Sequence, residues 1–252
     1  MSDTMVSATQ AENITPEQNL YRHMAKNTVS AKGQLAESEY VKFDNPDGTG
    51  VRILFVGNSI TLHGVRPEIG WHHAWGMAAS AKETDYVHRV SRAVREKDPD
   101  AAFCICQVAN WERQYLNGSR TLHLYEAARA FEADIIILRC IENCPAEAFD
   151  GEVFQKELDA LLRYLSNQKA PRVLVTTGFW HHPGDDALRA YAQANKYPCI
   201  PLGDLGEDDA MKAIGLFAHE GVANHPGDLG MQRISERIAT HLVPLVAQYK
   251  QA

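Results

Sequence analysis

The chain has 252 residues, 45% of them apolar, with a formal net charge of −7. That is enough apolar material for one full core, and an acidic balance with no basic run argues against nucleic acid as a partner. No apolar stretch approaches membrane-spanning length and the N-terminus lacks a secretory-signal layout, so the expectation is a cytoplasmic protein with no membrane partner.

Five cysteines, an odd number, fit a reducing compartment better than a disulfide framework. Cys104 and Cys106 stand two apart on a predicted strand and so share a face; Cys140 and Cys144 bracket an asparagine. All read as buried, unpaired thiols. No CxxC pair supports a zinc site, and no cofactor is implied.

In chain order, residues 1–14 are polar and unpatterned and read as disordered. Thr15-Pro16-Glu17-Gln18 has the layout of a capped helix start, with a short helix to about Lys26. Residues 28–40 are ambiguous, and Asp44–Gly50 is a turn cluster. Residues 15–50 are therefore expected to be an extension packing on a main domain over 51–252. That domain opens with Val51–Val56, a buried apolar strand that runs into Gly57-Asn58-Ser59. A serine there caps a helix or stands exposed as a nucleophile at the edge where α/β sheets bind ligands.

An unusually long connection follows, Thr61–Lys82, holding His63, Arg66, Trp71, His72, His73 and Trp75; loops of this length are usually functional or disordered, and two tryptophans argue for order. Helices are predicted around 85–97, 122–132, 152–167, 186–195 and 227–249, the last with Pro244 inside. Strands are predicted near 102–107, 134–139, 172–177 and 199–202. Strand and helix alternate, which predicts a parallel sheet covered by helices on both faces. In such a sheet all strand-to-helix loops share one edge, which brings Ser59, Asn110, Asn143, Trp180 and His225 toward one another.

Three blocks carry a resemblance. Gly57-Asn58-Ser59, Ile141-Glu142-Asn143 after an apolar strand, and Glu220–Met231 (EGVANHPGDLGM) resemble, in that order, blocks of the SGNH (GDSL-like) hydrolase family. The resemblance implies a flavodoxin-like three-layer α/β fold with a central parallel sheet of about five strands. It also implies Ser59 as nucleophile, His225 as its base, and an oxyanion held by the Ser59 N–H, Asn143 and a donor from the loop at Asn110. The family's acid would fall at Val222, which cannot orient an imidazole. Glu220 could substitute, or a backbone carbonyl near Val222 could hold the ring, while Asp228 reads as the cap of the last helix. Ala109, Asn110 and Ile141 stand where the family carries glycine.

The expected activity is hydrolysis of a small-molecule or oligosaccharide ester, with acetyl on a sugar or other polar alcohol as the favoured substrate and the oligomeric state left open. Trp71, Trp75, Trp111 and Trp180 serve either as core or as flat walls for a sugar ring. Arg66 and Arg113 either hold a carboxylate or are solvated or paired with Glu68 and Glu112. Two other classes stay in view: a non-catalytic carbohydrate-binding derivative, and a metal-dependent hydrolase using His72, His73, His181 and His182. Adjacent histidines on a loop rarely ligate one ion, and no H-E-x-x-H supports them.

Overall fold

The structure is a computed structural model that describes residues 35–46 and 48–249. The predicted N-terminal helix and the polar segment before it lie outside the described residues.

Among the described residues five strands are parallel: β2 (Arg52–Gly57), β3 (Ala102–Gln107), β4 (Ile135–Arg139), β5 (Arg172–Thr176) and β6 (Cys199–Ile200). A sixth, β1 (Val41–Asp44), pairs antiparallel with β3 and completes the sheet order β1-β3-β2-β4-β5-β6. The sequence reading missed β1, because four residues (VKFD) at a sheet edge are too few for a periodic signal. Part of the expected extension is thus an edge strand of the main sheet.

The parallel strands are apolar on both sides because both sides are covered. Leu54, Val56, Cys104, Cys106, Ile136 and Leu138 point to one face, and Ile53, Phe55, Phe103, Ile105, Ile135 and Ile137 to the other. This is the period-2 alternation of a strand. The first face packs on α3 (Glu126–Ala130), α4 (Gly151–Ser166) and α5 (Asp185–Ala194) through Ala128, Phe154, Leu158, Leu161 and Leu188. The second packs on α1 (Tyr86–Arg95) and the final helix, α8 (Asp228–Tyr249), through Val87, Val90, Ile234, Ile238 and Leu242. Asp85 caps α1 by accepting the His88 N–H, and Asp150 caps α4 by accepting those of Glu152 and Val153; each cap is worth about 1 kcal/mol. Pro244 stands inside α8, which continues past it. Three short helices fill the carboxyl edge: α2 (Ala109–Arg113), α6 (Gly203–Glu207) and α7 (Glu220–Ala223). All five cysteines are free, four of them buried. Among the described residues no helix is long and apolar enough to cross a membrane.

Chain order steps from β2 outward to β3 and then back to β4 on the other side of β2. Such a reversal opens a crevice at the carboxyl ends of β2 and β4, the place where sheets of this kind bind ligands.

Candidate active site

The turn after β2 is built around a close approach. A Cβ on Gly57 would lie 2.8 Å from the Arg139 carbonyl and closer still to the Thr61 hydroxyl, so only glycine fits. The chain then folds back on itself, with the N–H groups of Thr61 and Leu62 both on the Asn58 carbonyl at 2.9 and 3.0 Å. No α-helix starts here, so Ser59 caps none; its carbonyl accepts the Met77 N–H at 2.9 Å.

The Ser59 hydroxyl meets His225 Nε2 at 2.8 Å. On the other side of the ring, Nδ1 lies 2.6 Å from the Gly221 carbonyl. A carbonyl can only accept, so Nδ1 carries the proton and Nε2 presents its lone pair to the serine. The short helix α7 makes this geometry: His225 closes it with its N–H on the Val222 carbonyl at 3.0 Å, and its own carbonyl accepts from Ala213. Burial pushes the His225 pKa down to about 4; the Gly221 bond and Glu142 push it back up, and His63 and Arg139 push it further down. Glu220 does not orient the ring. It stands exposed in the first turn of α7, and the carbonyl that takes the role belongs to Gly221, since that of Val222 is engaged by the His225 backbone.

Beneath this pair lies a buried polar network. Asn58 donates to Glu112 Oε1 at 2.9 Å and to Glu142 Oε2 at 2.6 Å, while its carbonyl oxygen accepts from Arg139. Arg139 also donates to Glu142, and the Phe179 N–H reaches Glu142 at 3.0 Å. Glu112 accepts from the Ile141 N–H and the Asn143 side chain, both at 2.6 Å. Arg139 and Glu112 are wholly buried. Burial opposes ionisation of both carboxyls. At Glu142 burial is outweighed only by the Arg139 guanidinium together with the hydrogen bonds from the Phe179 N–H and Asn58, which hold the carboxyl below its usual range. At Glu112, burial and the Glu142 charge win and raise the pKa to about 7.

The other predicted residues divide. Asn143 is half-buried in the turn that follows β4, tied to Glu112. Asn110, in α2, donates to the Tyr40 hydroxyl at 3.2 Å. Trp180 is at the site, its ring edge-on to His225 with centroids 5.2 Å apart. Trp75 is half-buried, stacked on His73 at 4.1 Å. Trp71 and Trp111 are corrections to the expectation of substrate walls, because both are wholly buried. Trp71 packs with Met77, Ala213 and Val222 as a small core inside the long loop, where burying an indole contributes on the order of 3 kcal/mol. Trp111 packs against Phe154 under α4. Arg66 pairs with Glu68 at 3.3 Å. Arg113 cannot pair with Glu112, which faces inward; it donates weakly to Asn110 at 3.4 Å. Both arginines, with His63, Gln107 and Asn110, line a cavity of about 490 Å³. Gln107 is the register partner of Gly57, which sets this cavity beside the Ser59 turn. His182 is tied to the Cys144 carbonyl at 3.0 Å, and among the described residues no three His, Cys, Asp or Glu side chains are grouped to hold a metal ion.

The sequence reading missed Gly221 as ring holder, and Asn58, Glu112, Arg139 and Glu142 as the floor of the site. One signal was present. Arg139 ends the apolar run Ile135-Ile136-Ile137-Leu138, and a charge closing a doubly covered strand requires a buried partner.

No protein-family model matches the sequence, and no curated protein matches it. Among solved structures, the chain is similar to a two-domain esterase (CEX) active on acetylated mannans, co-crystallized with mannopentaose. The identity is 16% and the TM-score 0.51, covering 78% of this chain and 50% of that one. A second structure of that two-domain esterase aligns at 17% identity and a TM-score of 0.51, covering 78% of this chain and 49% of that one. The chain spans about half the length of these structures, and what it shares with them is the fold.

Proposed function

We propose that this chain is a serine ester hydrolase of the SGNH type, removing acetyl or another short acyl group from a carbohydrate or similar polar alcohol. The observation that carries the reading is the 2.8 Å contact of Ser59 Oγ with a His225 ring whose other nitrogen is held by a carbonyl. Nε2 takes the hydroxyl proton as Oγ attacks the ester carbonyl carbon. The oxyanion is held by the Ser59 N–H and the Asn143 amide, with the Asn110 loop beside them. The imidazolium then gives its proton to the departing alcohol, leaving an acyl-enzyme that water releases with His225 again as base.

Buried, with a carbonyl and not a carboxylate on Nδ1, the histidine stays neutral to low pH. Its ring, followed by NMR, should titrate near 4 rather than near 6.5. Because Glu220 plays no part in orienting it, Glu220→Gln should leave turnover within about threefold of the parent and the titration unmoved. A hundredfold loss would restore Glu220 as the orienting acid.

For the substrate, the polar makeup of the cavity beside Ser59 supports a hydrated alcohol over a lipid chain, since a lipid pocket gains about 0.8 kcal/mol per buried methylene from apolar walls. The fold shared with an esterase active on acetylated mannans fits the same reading. A series of p-nitrophenyl esters beside acetylated oligosaccharides tests it. Acetate release from the sugars and a rate falling with acyl length are expected; a steady rise from acetyl to octanoyl overturns the substrate class.

A further inference from the structure

Glu112 is an unusual residue to find under such a site. It is wholly buried and among the described residues has no cation of its own, because the terminal nitrogens of Arg139 are spent on Glu142 and Asn58. Among the described residues its carboxylate has three partners, all N–H donors: the Asn58 amide, the Ile141 backbone and the Asn143 amide. A buried carboxylate is costly, and a glutamine of nearly the same shape would avoid that cost.

The difference lies in what each can say to an asparagine. The two ends of an amide are nearly the same in shape, so only hydrogen bonding decides which way it faces. Ionised, above its pKa of about 7, the carboxylate accepts and never donates, so the NH₂ end of Asn143 must turn toward it, and that nitrogen keeps a second N–H. A glutamine would keep its oxygen on the Ile141 N–H, where Oε1 now accepts, and so turn its NH₂ toward Asn143 in place of Oε2. Turned over, Asn143 would offer its oxygen in place of the N–H, and an oxygen repels a developing oxyanion. Asn58, next to the nucleophile, is fixed by the same logic: its NH₂ is shared between two carboxylates and its oxygen is held by Arg139.

We propose that Glu112 is a positioning residue: its carboxylate sets the facing of the Asn143 amide as oxyanion donor and, through Asn58, the turn that carries Ser59. The proposal rests on the esterase reading above.

The test is a double-mutant cycle in the full chain, with Glu112→Gln, Asn143→Ala and the pair, assayed on an acetyl ester at pH 8. Each single change should lower kcat about a hundredfold with KM within threefold, the loss expected for one oxyanion donor. The pair should be no worse than about threefold below either single. Losses that multiply, or a Glu112→Gln enzyme with unchanged kcat, overturn the proposal. A second measurement needs neither turnover nor a folded variant. In the parent, one Asn143 side-chain amide proton should resonate downfield and exchange slowly, as a proton held by a buried carboxylate does; a freely exchanging pair overturns the orientation. Should the parent hydrolyse no ester while that proton is held, the esterase reading fails and the positioning geometry stands, so the two failures are distinct.

Discussion

Replacing Ser59 by alanine is expected to lower ester turnover by about 10⁶-fold, the scale seen when the nucleophile of a serine–histidine pair is removed, while the protein unfolds at nearly the same denaturant concentration. The two halves of the expectation have separate causes. The hydroxyl is the only atom lost, and without it the His225 lone pair at 2.8 Å has no proton to take. The fold loses one hydrogen bond at a half-buried turn and caps no helix there, so the stability change should stay within about 1 kcal/mol. A fluorophosphonate should add its mass to the parent and not to the variant, with the adduct on Ser59. Turnover within tenfold of the parent would remove Ser59 as nucleophile. A large loss of stability would mean that the turn depends on the hydroxyl and not on Gly57 and Asn58.

The central parallel strands were legible because β2, β3 and β4 are covered on both faces and read as apolar runs; β3 was placed to the residue. The serine and histidine were legible because each sits in a local block. What makes them a pair was less so. The carbonyl that holds His225 belongs to the backbone of Gly221, and any residue supplies a carbonyl, so no side chain in the sequence could announce it. The tryptophans show a second limit. Trp71 and Trp180 both lie in loops at the same sheet edge, yet one is wholly buried and the other faces His225. An indole is amphipathic enough for either setting, and the choice depends on loops that meet only in space. The polar floor was hidden for the same reason, since Asn58, Glu112, Arg139 and Glu142 come from three separate strand ends and acquire meaning only together.

That floor should also be the most sensitive point of the fold. Arg139 is the guanidinium between Asn58 and Glu142, with Glu112 nearby and no exposure to water. Arg139→Met keeps the length of the arm and deletes the charge, which strands two carboxyls in a dry site; breaking a buried pair from one side typically costs 3–5 kcal/mol. The cost should depend on pH in a direction fixed by the two carboxyls. In the parent, Arg139 together with the Phe179 N–H and Asn58 holds Glu142 below its usual range, a contribution to stability that is present above about pH 4.3 and lost as pH falls through the folded-state value. Glu112 has the opposite sign: its pKa, raised to about 7, means that the folded state is penalised as pH rises from about 4.3 toward 7. Without the guanidinium both carboxyls are raised, so both penalise the variant at high pH and neither does once protonated. Denaturant unfolding should therefore show the full deficit at pH 8 and a smaller one at pH 5, and adding Glu142→Gln should recover part of it at pH 8. A deficit under about 1 kcal/mol, or one that does not change with pH, would mean that the Arg139 charge does not hold the floor of the site together.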